Sequence, residues 1–230
     1  MIEAEWWDYE DLGEMAEAIG GDIGFIVESA LDARGSALIA LPSDDTARGL
    51  YASLAGASLP WKKVTIIPTD DRVVPVDNPQ SHARAVAQTF LPLGARVFPY
   101  ATPLDDYRLA GNAADARLQD LPWPPDLAWL GMGEDGSTAG LYAGADLQNA
   151  LDAPRARRAV GIMPEGADGQ PRITLTRASI LSARTITITL QGDDKRAMLE
   201  GAIADGQSSK LPIGRLLAEA EQPIDIHWCP

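Results

Sequence analysis

The stretch over residues 127–141 constrains the fold most, because it changes from apolar to glycine-rich and back to apolar. It begins with the apolar run 127–130, which is too short to favour a helix. Three glycines follow, namely Gly131, Gly133 and Gly136. Ser137 and Thr138 come next, and small or apolar side chains then resume. The pattern predicts a buried strand, a glycine-rich turn and the start of a helix capped by Ser137 or Thr138.

A turn of this kind suits an anion or a developing oxyanion for two reasons. Glycine adopts backbone angles that other residues avoid, and it lets a ligand approach the main chain closely. The start of a helix leaves N–H groups unpaired and carries partial positive charge. The alternative is a plain strand–turn–helix corner without a ligand, since one glycine-rich turn is weak evidence of a site.

The composition excludes several classes of protein. The chain has 230 residues, enough to bury a core, and a net charge of -14 at pH 7. That charge argues against nucleic acid and anionic membranes as partners, because both attract basic surfaces. No apolar run approaches the roughly 18 residues of a membrane-spanning helix, and Cys229 is the single cysteine. We therefore expect a cytoplasmic protein that is a monomer or a weak homodimer.

Strand-like and helix-like patterns alternate along the chain. Strands are predicted at residues 36–41, 64–68, 96–98, 127–130, 155–163, 172–176, 185–190 and 224–228. Helices are predicted at residues 47–55, 82–90, 104–121, 177–181, 193–204 and 213–220. The alternation indicates one α/β domain over residues 1–230. We expect a mostly parallel central sheet with helices on both faces, in a Rossmann-like, doubly wound arrangement.

The N-terminal region shows apolar stripes at helical spacing over residues 8–33, and Gly20-Gly21 favours a break between two helices. We expect Trp6 and Trp7 to anchor this helical region rather than to contact a ligand. Residues 69–75 and 164–171 are predicted to be loops. The histidine of the last strand, His227, is expected to be structural.

Four turns of the chain follow predicted strands. They lie at residues 42–46, 70–72, 131–136 and 192–195. Ligands of open α/β sheets bind outside the carboxyl ends of the strands, so these turns should share one rim of the sheet. That rim would carry Arg72 and Lys195, two of the few cations in an acidic chain.

The same turns resemble, in order and spacing, the motifs of the 6-phosphogluconolactonase family, within the larger group that includes the glucosamine-6-phosphate deaminases. The motifs here are Trp61-Lys62-Lys63-Val64, Asp70-Asp71-Arg72-Val73-Val74-Pro75, Ser81-His82, Leu130-Gly131-Met132-Gly133-Glu134-Asp135-Gly136-Ser137-Thr138-Ala139, Pro171-Arg172-Ile173-Thr174-Leu175 and Gly192-x-x-Lys195. The resemblance covers about residues 38–228. It implies hydrolysis of a small phosphorylated sugar lactone, 6-phospho-D-glucono-1,5-lactone, to 6-phosphogluconate in the oxidative pentose phosphate pathway. It also implies that no metal or other cofactor is required.

The resemblance assigns roles to particular residues. Arg72 and Lys195 would hold the phosphate, and Arg172 would help them. Asp70 and Asp135 would orient the sugar hydroxyls or the attacking water. The other substrate-binding positions that it implies are Ser43, Thr46, Asp71, Gly131, Gly133 and Gly136.

Three positions depart from the family's pattern. The histidine that follows Asp-Gly, usually given the proton-transfer role, is Ser137 here, and serine needs another group to activate it. The Gly-Gly-Ser-Thr-Pro turn reads Ser43-Asp44-Asp45-Thr46-Ala47, whose two carboxylates would repel a phosphate unless they point away. The asparagine of the Ser-Asn pair is His82. We hypothesise that His82 replaces the lost histidine as base or water-positioner. The alternative is that it only donates a hydrogen bond or caps its helix.

Two other functions stay open. A sugar-phosphate isomerase or deaminase of the same fold would need an acid–base set at the sugar carbons. The deaminases carry a glutamate shortly after Asp-Gly-His, whereas residues 141–144 here contain no acid. A catalytically impaired binding protein would account for Ser137 and the two carboxylates, but the presence of Arg72 and Lys195 favours a working phosphate site.

Overall fold

The structure is a computed structural model that describes residues 2–100, 104–165 and 169–230. Its strands are β1 (Ala4–Asp8), β2 (Ala37–Leu41), β3 (Val64–Pro68), β4 (Asp70–Arg72), β5 (Arg96–Val97), β6 (Leu127–Leu130), β7 (Ala159–Ile162), β8 (Arg172–Leu175), β9 (Thr185–Gln191) and β10 (Ile224–Cys229). Its helices are α1 (Leu12–Arg34), α2 (Asp45–Ala55), α3 (His82–Phe90), α4 (Tyr107–Leu118), α5 (Leu147–Leu151), α6 (Arg177–Leu181), α7 (Asp193–Asp205) and α8 (Pro212–Leu217).

The central sheet has seven strands in the order β1-β10-β9-β6-β2-β3-β5, and each neighbouring pair is parallel. From β2 the chain proceeds through β3 to β5 at one edge, whereas β6, β9 and β10 extend the sheet in the other direction. The strand order therefore reverses between β2 and β6, where a doubly wound sheet binds its ligands. The predicted fold class is confirmed.

Helices cover both faces of this sheet, which explains why its central strands are apolar at every position. All five residues of β2 are buried, and successive side chains point to opposite faces. Leu38 and Ala40 pack into one apolar cluster with residues of α4, α7 and α8. Ile39 and Leu41 pack into the second cluster with residues of α1, α2 and α3. The sheet therefore separates two apolar core layers, one packed against each of its faces.

The N-terminal prediction was partly wrong. Residues 4–8 form an edge strand that pairs with β10, so Trp6 and Trp7 lie on a strand and not on a helix. Helix α1 then runs unbroken through Gly20. A Cβ atom at Gly20 would lie 2.5 Å from the Ser53 hydroxyl of α2, so this glycine permits close contact between two helices. That contact, rather than a break, accounts for the glycine.

The segment predicted as a charged loop at residues 69–75 contains β4. This strand pairs antiparallel with β8, and β8 pairs antiparallel with β7, which gives a second sheet of three strands. The strands predicted near β7 and β8 are present, but they belong to this small sheet. Part of the loop predicted at residues 164–171 lies outside the described residues.

His227, predicted to be structural, lies on β10 and contacts Tyr9. The Nδ1 atom of His227 lies 2.8 Å from the Tyr9 hydroxyl, and burial lowers the pKa of His227 to about 4. The ring is therefore neutral near pH 7, as suits a structural residue.

Within the described ranges, no helix combines the length and apolar character needed to cross a bilayer.

Candidate active site

A cleft of about 570 Å³ opens beside the carboxyl ends of β2, β3, β6 and β9. All four turns predicted to share a rim contribute residues to its wall. Ten predicted site residues line it, namely Ser43, Thr46, Asp70, Arg72, His82, Gly131, Gly133, Ser137, Arg172 and Lys195. Three predicted site residues are not part of its lining, namely Asp71, Asp135 and Gly136. The prediction of a shared rim is confirmed, and the catalytic and binding roles stay predictions.

The three residues outside the cleft wall have structural contacts that explain their positions. The Asp71 carboxylate accepts hydrogen bonds from the Ser81 hydroxyl and from the backbone N–H groups at the start of α3. Asp135 is exposed, and it accepts the N–H of Ser137 at 3.0 Å. Gly136 has a φ of 71°, and a Cβ there would lie 2.9 Å from Leu211. Asp71 thus anchors α3, and the other two shape the loop.

The glycine turn is not followed by a helix, so the predicted cap at Ser137 or Thr138 was wrong. The chain instead bends back through Ala139 and Gly140, whose φ angles are 48° and 74°. The hydroxyl of Thr138 donates to the carbonyl of Gly131 at 2.7 Å, and the next helix is α5. Four amides are bonded within the loop, those of Gly133, Gly136, Ser137 and Thr138. These amides are therefore not available as oxyanion donors.

A buried ion pair joins two predicted site residues across the small sheet. Arg172 donates to a carboxylate oxygen of Asp70 at 2.8 Å, and both residues are buried. Burial alone would raise the pKa of Asp70, but the neighbouring His82 and Arg172 outweigh it and lower that pKa to about 2. The ring of Tyr142 lies 5.2 Å from the Arg172 guanidinium. Asp70 therefore stays ionised, and it offsets much of the positive charge of Arg172.

His82 is hydrogen-bonded at both ring nitrogens. Its Nδ1 lies 2.8 Å from the backbone carbonyl oxygen of Asp70, which can only accept, so Nδ1 carries the proton. Its Nε2 lies 3.1 Å from a guanidinium nitrogen of Arg72, which can only donate. This geometry favours the hydrogen-bonding alternative for His82, because neither nitrogen is left to take a proton from water.

The charges around His82 set the direction of its pKa. Burial alone would lower the pKa of His82, but the Asp70 and Asp71 carboxylates outweigh it and raise the pKa above its ordinary value. Protonation at Nε2 would remove the acceptor that holds Arg72. The state of His82 is therefore coupled to the position of Arg72.

The two carboxylates of the first turn point in different directions. The Asp45 side chain is 94% exposed and pairs with Arg48, and both residues also line the cleft. Asp44 caps α2, and its Oδ1 accepts the N–H of Ala47 at 3.1 Å. Its Oδ2 lies in the cleft wall over Gly131, where a Cβ would lie 2.0 Å away. The sequence contained the signal for this cap, an aspartate just before a helix, but not its consequence for the cleft.

Lys195 supplies the remaining positive charge of the cleft wall. It lies in the first turn of α7 and, among the residues that the structure describes, forms no ion pair. Three arginines also line the cleft, namely Arg48, Arg72 and Arg172. No group of three or more His, Cys, Asp or Glu side chains in the described ranges could hold a metal ion. The wall thus combines four basic side chains with hydroxyls and with the carboxylates of Asp44, Asp45, Asp70 and Glu134.

A parallel α/β sheet with a polar cleft at its reversal point, lined by arginines, a lysine and hydroxyls, is typical of proteins that bind small polar ligands. The family profile described as glucosamine-6-phosphate isomerases/6-phosphogluconolactonase matches residues 10–228. This chain belongs to that family, as the sequence motifs predicted.

Named relatives match almost the whole chain. A 6-phosphogluconolactonase of Rhizobium meliloti (strain 1021) is 34% identical over 226 residues, which cover 96% of this chain and 97% of the relative. A 6-phosphogluconolactonase of Pseudomonas putida is 32% identical over 224 residues, covering 96% of this chain and 90% of that protein.

Solved structures share the fold. The crystal structure of a 6-phosphogluconolactonase from Shewanella baltica OS155 superposes with a TM-score of 0.92 at 27% identity, covering 99% of this chain and 98% of the other. A monomeric glucosamine-6-phosphate deaminase superposes with a TM-score of 0.79 at 14% identity, over 98% of this chain and 97% of the other. At that identity the likeness to the deaminase concerns the fold alone.

Proposed function

We propose that this chain hydrolyses 6-phospho-D-glucono-1,5-lactone to 6-phosphogluconate, as an enzyme of the oxidative pentose phosphate pathway. The observation that carries the proposal is a cleft lined by Arg72, Arg172 and Lys195 in a chain whose named lactonase relatives match it over nearly its full length. We extend the proposal to a cytoplasmic protein, a monomer or a weak homodimer, that acts on a small molecule.

The side chains of the cleft wall match the phosphate and the hydroxyl groups of this substrate. Lys195 and Arg72 supply positive charge for the phosphate. Ser43 and Thr69 present buried hydroxyls that have no hydrogen-bond partner among the described residues. Such hydroxyls can bond phosphate oxygens or sugar hydroxyls, because they both donate and accept. An anionic and polyhydroxylated ligand would satisfy both kinds of group.

Hydrolysis requires water to attack the lactone carbonyl carbon, after which the bond from that carbon to the ring oxygen breaks. The ring oxygen gains a proton, and the carbonyl carbon becomes that of the acid. A lactone is a reactive ester, so positioning and oxyanion stabilisation can accelerate its opening without a strong base. Because the amides of Gly133, Gly136, Ser137 and Thr138 are engaged within the loop, we expect side chains to contribute donors. Ser137 and Arg172, both in the cleft wall, are our candidates.

The proposal is tested by offering the purified protein two substrates separately. With fresh 6-phosphogluconolactone, we expect acid release well above the spontaneous rate, followed in a pH-stat. With glucosamine 6-phosphate, we expect no release of ammonium. Ammonium release would favour the deaminase, whereas a folded protein that binds 6-phosphogluconate but opens no lactone would favour the impaired binding protein.

A further inference from the structure

Three residues of the cleft wall each carry a buried oxygen atom that has no hydrogen-bond partner among the described residues. These atoms are Ser43 Oγ, Asp44 Oδ2 and Thr69 Oγ1. Ser43 is 8% exposed and Thr69 is 1% exposed. Buried polar atoms are nearly always paired, since an unmade hydrogen bond costs about 1–3 kcal/mol. Three such atoms in one cleft wall therefore indicate the place of a polar ligand.

Asp44 differs chemically from the other two residues. A hydroxyl can donate or accept, but an ionised carboxylate can only accept. Because the N–H of Ala47 holds Oδ1 at 3.1 Å, Oδ2 is directed away from α2 and toward the glycine turn. The orientation of Oδ2 is thus fixed by the helix cap, and only its proton can change.

The charges that face Asp44 come from several elements. They are Lys195 of α7 and Asp45 and Tyr51 of α2, and Tyr51 in turn lies near the charges of Arg48 and Asp70. Burial raises the pKa of Asp44, and Lys195 only partly opposes it. Neither an ion pair nor a hydrogen bond joins Asp44 to Lys195, although both line the cleft. Lys195 therefore acts on Asp44 through its charge and not through a direct contact.

We propose that Asp44 is a substrate-binding residue that takes up a proton when the substrate's phosphate binds and donates that proton to a phosphate oxygen. This inference rests on the proposed function, which supplies the phosphate. A phosphate dianion held by Lys195 at the start of α2 would otherwise lie against the bare carboxylate oxygen. A proton between the two oxygens replaces this repulsion with a short O–H···O bond. The proton comes from solvent, and no covalent bond to carbon or phosphorus changes.

Calorimetry measures this proton directly. 6-Phosphogluconate, the stable product, is titrated into the protein at pH 8 in buffers of different ionisation enthalpy. The phosphate is then almost fully dianionic, so the ligand itself contributes few protons. We expect the wild type to take up close to one proton on binding. Its affinity should fall about tenfold per pH unit above the pKa of Asp44, because each unit leaves a tenth of the protonated carboxyl.

Two variants make the test specific. Asp44→Asn keeps the helix cap and presents a permanent N–H donor, so it should bind without proton uptake and with an affinity independent of pH between about 7 and 9. Asp45→Asn is the matched control, because it changes the adjacent carboxylate, which is 94% exposed and already paired with Arg48. That control should keep the proton uptake of the wild type.

The outcomes separate this inference from the proposed function. Lactone hydrolysis without proton uptake would overturn the inference alone, and so would an Asp44→Asn protein that binds more weakly with unchanged uptake. Inorganic phosphate serves as the second probe. Proton-coupled phosphate binding without lactone hydrolysis would support the inference and contradict the function. Binding of neither 6-phosphogluconate nor phosphate would overturn the inference.

Discussion

The Nε2 atom of His82 lies 3.1 Å from a guanidinium nitrogen of Arg72, and the ring is the acceptor of that hydrogen bond. His82→Ala would remove one of the contacts that position Arg72, whose guanidinium also donates to the Gln80 carbonyl. We therefore expect KM for the lactone to rise about tenfold, the effect of losing a hydrogen bond to a charged group, with kcat little changed. His82→Asn keeps an acceptor oxygen and should restore most of the affinity. A large loss of kcat in His82→Ala at unchanged KM would instead indicate a base.

The same hydrogen bond gives the activity a pH dependence on the acid side. Because the pKa of His82 is raised, its protonation begins at a higher pH than for an ordinary histidine, and each protonated ring no longer accepts from Arg72. KM should therefore rise as the pH falls through that pKa. A pH profile of kcat/KM for His82→Asn should lack this limb. Identical profiles for the two proteins would contradict the coupling.

The Asp70–Arg172 pair should contribute to stability at neutral pH. Since the folded-state pKa of Asp70 is lowered to about 2, the contribution is full above the ordinary aspartate pKa and is lost as the pH falls toward 2. Asp70→Asn removes a buried charge that lies 2.8 Å from the Arg172 guanidinium, so unfolding in urea at pH 7 should cost about 3–5 kcal/mol less. The difference between the two proteins should shrink toward pH 2–3. A difference that is constant with pH would exclude the ion pair as its cause.

Gly140 should tolerate no side chain. Its φ is 74°, and a Cβ would lie 2.6 Å from the Cβ of Asp70. Gly140→Ala should displace Asp70 and lower both stability and lactone hydrolysis, by about 2 kcal/mol or more in stability. Gly201→Ala is the matched control in the exposed face of α7, where no atom lies within 4 Å of an added Cβ. It should stabilise by up to about 1 kcal/mol and leave hydrolysis unchanged.

Ser137 tests whether proton transfer limits the reaction. Its hydroxyl lies over Gly133 in the cleft wall and cannot act as a base unless another group activates it. Ser137→His would supply an imidazole at this position, so kcat should increase, at most by the roughly 10²–10⁴-fold that a general base contributes. Ser137→Ala should lower kcat modestly. An unchanged kcat in Ser137→His, with the protein folded, would show that proton transfer is not limiting.

Local patterns in the sequence were sufficient for the main sheet, because strands such as β3 and β9 are short β-branched runs with clear ends. The shared rim then followed from the rule that ligands of doubly wound sheets bind outside the carboxyl ends of the strands. This is why the four turns could be placed on one rim before Arg72 and Lys195 were seen to line one cleft.

Features that depend on distant contacts could not be predicted. The β4–β8 pairing joins Asp70 to Thr174 in sequence-remote strands, and no local period encodes that register. Gly20 looked like a helix break because its neighbour Ser53 belongs to another helix. The missing helix after the glycine turn depends on Gly140 packing against Asp70. The direction of the Asp44 side chain likewise depends on a tertiary contact, because its carboxylate caps α2 and packs over Gly131.

The most direct measurement is the initial rate of acid release from fresh 6-phosphogluconolactone at several protein concentrations. For the wild type, we expect a rate above the spontaneous one that is proportional to protein concentration. Lys195→Ala, which removes the cleft lysine, should lose about 10- to 100-fold in kcat/KM, the range for a charged hydrogen bond to phosphate. Lys210→Ala, at an exposed lysine outside the cleft, should match the wild type. A wild-type rate equal to the spontaneous rate, or equal rates for all three folded proteins, would contradict the account.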